Sequence, residues 1–172
     1  MRLKIIIAGL LKGMIAFTPL SAMANETAII RFIVTGDLYE FPADKDRVEY
    51  AKQASVAKIF KKKTKEISNP IYFMWGDAYY PSLLSTMDKG KINVEMINAI
   101  GGDYMVLENH DWDFGPKNVR ERVWESNFPV LSSNIIDQDG LPVDGTVRTA
   151  MINVGPFRTG IMGLVTTHTK VI

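Results

Sequence analysis

The chain has 172 residues, a formal net charge of +1, 47% hydrophobic residues and no cysteine. That suits one ordinary domain, or part of a larger one, with enough apolar material for a core. Zero cysteine excludes disulfide scaffolds, iron–sulfur clusters, thiolate zinc sites, a cysteine nucleophile and a lipidated cysteine anchor, and near-neutral charge gives no reason to expect nucleic acid or an acidic membrane surface as partner. The two histidines, His110 and His168, leave little material for an all-histidine metal site.

Arg2 and Lys4 precede the apolar runs Ile5–Leu11 and Gly13–Phe17, and the segment closes on Ser21-Ala22-Met23-Ala24. A basic start, an apolar middle and an Ala-x-Ala cleavage pattern are the three parts of a secretory signal. A buried or amphipathic N-terminal helix is the competing reading. Lys12 breaks that apolar stretch, which is also short for a bilayer span. Residues 1–24 therefore read as a signal peptide and residues 25–172 as the domain, exported to the periplasm or secreted without a stable membrane anchor. Cleavage after Ala24 removes three cations and no acid, taking the formal charge from +1 to −2.

Beyond the signal, strand and helix patterns alternate. Ala28–Val34 is rich in β-branched residues and ends at the turn signal Thr35-Gly36-Asp37. Arg47–Lys65 has apolar residues at helical spacing, and Lys61–Lys63 with Lys65 read as its solvated end, where cations favour the helix dipole. Ile71–Trp75 is a short apolar strand ending at Gly76-Asp77. Ser82–Ile100 reads as one or two helical pieces interrupted near Asp88-Lys89-Gly90. Asp103–Leu107 is a strand ending at Glu108-Asn109-His110-Asp111, followed by a helix over about Lys117–Ser126 and a strand Pro129–Asn134. After a polar turn cluster at Asp137–Gly145, Val147–Val154 and Arg158–Val165 read as two strands of a hairpin. Trp75 and Trp124 sit in patterned elements and read as core, whereas Trp112, in a polar loop, has the better claim to face a substrate. The order argues for an α/β layered sheet.

In such sheets functional groups gather on the loops at the carboxyl ends of the strands. Three successive strand ends carry Asp37, Asp77, and Asn109 with His110. Carboxylates, an amide oxygen and an imidazole form a ligand set for divalent ions such as Zn, Mn, Fe or Mg. Taken singly, each aspartate also fits a turn or helix cap.

The strings Phe32-Ile33-Val34-Thr35-Gly36-Asp37-Leu38-Tyr39, Gly76-Asp77 with Pro81-Ser82-Leu83-Leu84-Ser85, and Asn109-His110-Asp111-Trp112-Asp113-Phe114-Gly115 resemble the calcineurin-like metallophosphoesterases. The branch they are most similar to is the bacterial 5′-nucleotidases, with blocks Asp-x-His, Gly-Asp-x-x-x-x-Ser-x-x-Ser and Gly-Asn-His-Glu/Asp-x-Asp-x-Gly. Asn98–Asp103, Phe128–Ile135 and Gly160–Thr167 resemble further blocks, and all occur in the family's order from Ile30 to about Thr167. The resemblance implies the N-terminal half of a four-layer α/β/β/α domain and two divalent metal ions. It implies Asp37 as a terminal ligand of one metal, Asp77 as the bridge between both, and Asn109 as ligand of the second. His110 would face the phosphoryl oxygens or leaving group, and Asp111 would orient His110 through its other nitrogen. A metal-bound hydroxide would attack phosphorus in line, and the partner would be a small phosphorylated substrate such as a nucleotide.

Three departures qualify the resemblance. Tyr39 stands where the family has its first histidine, and so takes that metal-ligand position; a phenol with a pKa near 10 is the poorer neutral ligand. Glu108 replaces the glycine before Asn-His, where a carboxylate either crowds the turn or adds charge beside the metals. The family's downstream histidines, including a Gly-His-x-His block, are absent, since His168 is not in such a block. With the apolar Val171-Ile172 end, that absence leads us to expect an incomplete fragment with an uncovered apolar sheet face. Two functions remain open: a metal-dependent phosphoesterase lineage with a weak or inactive chain, or a non-catalytic exported domain that kept the fold without a complete site.

Overall fold

The computed structural model describes residues 27–37, 54–55, 58, 70–167 and 169. The signal segment, Tyr39, the lysine cluster and His168 lie outside the described residues. Four strands form a parallel sheet in the order β1 (Phe32–Thr35), β2 (Ile71–Trp75), β3 (Tyr104–Val106) and β4 (Val130–Leu131). Phe32 pairs with Ile71, Phe73 with Tyr104 and Met105 with Val130. The chain thus steps one strand at a time across the sheet, so the carboxyl ends of β1, β2 and β3 lie side by side.

The period-two alternation of a strand separates the two faces. Tyr72, Met74 and Met105 point to one side, where they pack with Val94, Ile97, Val119 and Val123 into the main core. Those four valines and isoleucines come from the helices α2 (Lys91–Ile100) and α3 (Gly115–Glu125). The interruption expected near Asp88-Lys89-Gly90 is real: α1 (Leu83–Asp88) ends there with Lys89 left-handed at φ 56°. Ser82 and Ser85 cap α1 reciprocally, side chain to backbone, and the Asp88 carboxylate accepts from the backbone of Gly90 and Ile92 to start α2. Buried Arg122 of α3 donates to the Asp88 and Lys89 carbonyls and pairs with Glu125. This ties the helix junction to α3.

Phe73, Val106 and Leu131 form a smaller cluster on the opposite face, with Ala150 and Ile161 of the hairpin β5 (Thr149–Val154) and β6 (Phe157–Met162) packed against it. The antiparallel hairpin pairs Thr149 with Met162 and Val154 with Phe157, as its sequence predicts. Its cover is partial. Phe32, Val34, Trp75, Met162 and Leu164 stay exposed on this side and, with Phe73 and Val106, line an apolar groove of about 570 Å³.

Several expectations change in detail. The predicted strand over Pro129–Asn134 keeps only Val130–Leu131 in the sheet. Beyond it the chain is held otherwise: the Ser132 amide donates to the Val147 carbonyl, and the Asn134 side-chain amide makes paired bonds with the backbone of Val165. Trp75 and Trp124 are 58% and 69% exposed, and Trp112 is 5% exposed, the reverse of the expectation from their patterning. Trp75 falls on the open sheet face, Trp124 on the outer side of α3, and Trp112 is drawn into the core by the turn it occupies. Among the described residues no helix is long and apolar enough to cross a membrane.

Candidate metal and phosphate site

The carboxyl rim of the sheet is built by two tight turns. Asp37 after β1 and Asp77 after β2 both adopt left-handed backbone, at φ 53° and 45°. That region is rare for residues with a Cβ, and aspartate is among those that tolerate it. The turns are pressed together, the Asp37 amide lying 3.4 Å from the Gly76 carbonyl. Gly36 is required by this closeness, because a Cβ on it would sit 2.5 Å from the Trp75 carbonyl oxygen. Gly76, at φ 62°, leaves room for a different neighbour: a Cβ there would fall 2.0 Å from Cγ of Glu108.

After β3 the chain enters a single 3₁₀ turn, His110–Trp112, which joins the rim to the two aspartates. Asp77 is buried and its Oδ1 accepts from the His110 amide at 2.9 Å. Asn109, at the start of this turn, is half-buried. The structure therefore brings Asp37, Asp77, Asn109 and His110 to adjoining strand ends, as the chain order predicts.

Asp111 does something other than orient His110. Its side chain is 1% exposed and accepts four backbone N–H groups: Oδ2 from Asp77 and Glu108, Oδ1 from Ala78 and Tyr79. One carboxylate thus stitches the loop after β2 to the loop after β3. Burial pushes its pKa up to about 7, against the downward pull of those N–H groups. With both oxygens turned inward, none reaches His110. The residue that does is Asp113, whose Oδ2 lies 2.9 Å from His110 Nδ1; this pairing raises the His110 pKa above its ordinary value. The sequence reading missed Asp113 as a partner. The available signal was the i,i+3 spacing, which only a turn of helix converts into contact.

Glu108, the residue in place of glycine, does not crowd the turn, because Gly76 leaves it space. Its pKa is raised by burial first and then by the charge of Asp77, with Asp37 contributing. The charges of Asp77 and Asp37 are thus felt at Glu108, on the loop after the neighbouring strand.

With the geometry in place, the chain can be set beside the known proteins it resembles. No family model matches the chain. It is 33% identical over 101 residues to the snake venom 5′-nucleotidase of Gloydius brevicauda, covering 56% of this chain and 17% of that protein. The NAD nucleotidase of Haemophilus influenzae superposes with TM-score 0.59 at 26% identity, over 67% of this chain and 21% of its own. A 5′-nucleotidase precursor from Thermus thermophilus shares the fold, with TM-score 0.64 at 22% identity over 81% of this chain and 29% of its own. These matches support the 5′-nucleotidase-like metallophosphoesterase superfamily, and the α/β fold with its parallel sheet matches the N-terminal domain of such phosphoesterases. The chain spans about a fifth of the length of the first two relatives.

Members of that superfamily imply divalent metals, and the donors present here fit them in kind: two carboxylates and an amide oxygen on one rim suit a hard divalent ion. Among the described residues, no group of three or more histidine, aspartate or glutamate side chains is disposed to hold an ion by itself. The rim thus offers part of a coordination shell.

Proposed function

We propose that the chain supplies the N-terminal, metal-holding part of an exported 5′-nucleotidase-like phosphoesterase that hydrolyses a phosphomonoester, a nucleotide being the substrate the relatives' names suggest. The observation that carries this reading is the convergence of Asp37, Asp77, Asn109 and the His110–Asp113 pair on three successive strand ends. Asp37, Asp77 and Asn109 would hold divalent ions, with Tyr39 supplying a further donor by its place in the motif. Bound ions would supply Lewis-acid polarisation of the phosphoryl group and a lowered pKa for water.

The chain's own residues account for the rest. Asp77 bonds the His110 amide and so fixes the imidazole's position relative to the carboxylates. Asp113 engages Nδ1, fixes the ring's orientation and favours the imidazolium form, in which Nε2 carries the proton that it holds against a phosphoryl oxygen or delivers to the departing ester oxygen. Asp111 keeps the two loops in register. Residues 1–24 direct export to the periplasm or beyond, and residues 25–172 form the domain portion.

The test combines binding and turnover on the chain after removal of residues 1–24. Added Mn²⁺ or Zn²⁺ should raise the melting temperature, and Asp77→Asn should abolish the rise. Hydrolysis of p-nitrophenyl phosphate or a 5′-nucleotide that is lost in the same variant would complete the case. No thermal shift together with no hydrolysis would sink the reading. A second reading, a non-catalytic exported domain, draws on the partial coordination shell. It is favoured if metal binds and no ester is cleaved.

A further inference from the structure

We propose that Tyr80 and Phe114 form an aromatic binding surface beside the His110–Asp113 pair, selecting phosphate esters whose leaving group carries a planar ring; the inference rests on the phosphoesterase reading above. Both residues fall where the family motifs leave the position open. Tyr80 lies within Gly-Asp-x-x-x-x-Ser, and Phe114 stands between the last aspartate and the glycine of the Asn-His block. Nothing in those motifs therefore gives either one a role. The fold brings them together, with ring centroids 4.8 Å apart and planes at 71°, an edge-to-face contact. Each ring belongs to a loop of the site. Tyr80 sits in the loop after β2, and Phe114 directly follows Asp113, the partner of His110, at the head of α3.

Packing alone is the competing account, and the neighbouring tyrosine shows what a packed ring looks like here. Tyr79 is 1% exposed and its hydroxyl is bonded to that of Ser126 at 3.0 Å. Tyr80, one residue on, is only half-buried, and its hydroxyl meets no partner among the described residues. Phe114 is half-buried as well. Nor do the two loops need this contact to stay together, since Asp111 already joins them through four backbone amides. In an edge-to-face pair the ring that offers its edge keeps both faces clear of its partner. A ring carried on the departing ester oxygen, which His110 would protonate, would thus meet aromatic surface one residue from the aspartate that holds the imidazole.

The experiment is titration calorimetry of methylphosphonate, phenylphosphonate and cyclohexylphosphonate into the chain after removal of residues 1–24, with saturating Mn²⁺. Their carbon–phosphorus bond resists hydrolysis, so binding is read without turnover. The unaltered protein should bind phenylphosphonate roughly tenfold more tightly than methylphosphonate, the scale of one ring stacked on an aromatic side chain. It should also prefer phenylphosphonate to cyclohexylphosphonate, which has the bulk without the planar face. In Tyr80→Leu and Phe114→Leu, each checked for folding by its melting curve, the advantage of the phenyl ligand over the methyl one should disappear. Equal affinity for the two in the unaltered protein, an advantage that survives both substitutions, or a variant that weakens both ligands alike overturns the role of the pair and leaves the phosphate site standing. Binding of no phosphonate by the unaltered protein overturns that role and the phosphoesterase reading together. Should neither variant fold, the unaltered protein decides: a preference for phenylphosphonate over cyclohexylphosphonate supports the proposal, and equal binding overturns it.

Discussion

The Nδ1 atom of His110 lies 2.9 Å from Oδ2 of Asp113, one turn further along the chain. Both side chains are partly exposed, at 45% and 38%, so the pair is a solvent-facing dyad beside the buried Asp77 and not part of the core. Its value is orientation: the carboxylate selects the tautomer with hydrogen on Nδ1 and leaves Nε2 for chemistry.

That pairing raises the His110 pKa, with the Asp113 hydrogen bond as the leading cause. Removing the acceptor should lower it. In Asp113→Asn, the His110 titration followed by NMR should move down toward the ordinary imidazole value near 6.5. The sign for stability follows from a folded-state pKa above the unfolded one. The pair's contribution is fully present below about pH 6.5 and fades as pH rises through the raised folded value. An unchanged midpoint in the variant would remove Asp113 as the cause.

Asp111 should behave as a structural linchpin. Asparagine at 111 would place an NH₂ group against two of the four backbone donors it now accepts. Two buried N–H groups would lose their acceptor, a loss of about 2–4 kcal/mol. Urea unfolding of Asp111→Asn against the unaltered protein measures it. A change within about 0.5 kcal/mol would mean the loops hold together without the carboxylate.

Gly36→Ala tests the contact between the two turns. The new Cβ would come within 2.5 Å of the Trp75 carbonyl oxygen, and backbone on both sides limits relief. We expect a destabilisation of about 1–3 kcal/mol and, because Asp37 is displaced with it, weaker Mn²⁺ binding. Retention of both stability and affinity would show that β1 and β2 can part at this end.

Metal removal should be visible in melting curves. Mn²⁺ at about a hundredfold excess over its Kd stabilises the folded chain by about 2.7 kcal/mol, on the order of 5–10 °C for a domain of this size. Excess EDTA should return the melting temperature to the metal-free value. A temperature indifferent to both additions would count against a folded-state site.

Much of this was legible in the sequence, and the reason is local. The helix break at Asp88-Lys89-Gly90 shows because Gly90 and Lys89 both take left-handed backbone, and the strand Ile71–Trp75 shows because its apolar run is short and bounded by Pro70 and Gly76. The candidate ligands Asp37, Asp77 and Asn109 follow from the rule that parallel strands collect function at their carboxyl ends. The tryptophans were misjudged because pattern tells which side of an element a residue occupies and not whether that side is covered. Trp75 sits on a face that the β5–β6 hairpin covers only in part.

The roles of Asp111 and Asp113 divide the two kinds of information. By itself, the sequence determined the order of elements, the residue types at three strand ends and the superfamily they resemble. These depend on neighbours along the chain and on motif spacing. Only the tertiary structure decided that Asp111 turns inward to four amides, that Asp113 faces His110, and that Glu108 lies over Gly76 beside two aspartates. Each of those outcomes depends on which turn a residue joins and on the room another strand's glycine leaves, and chain spacing does not encode distances between strands.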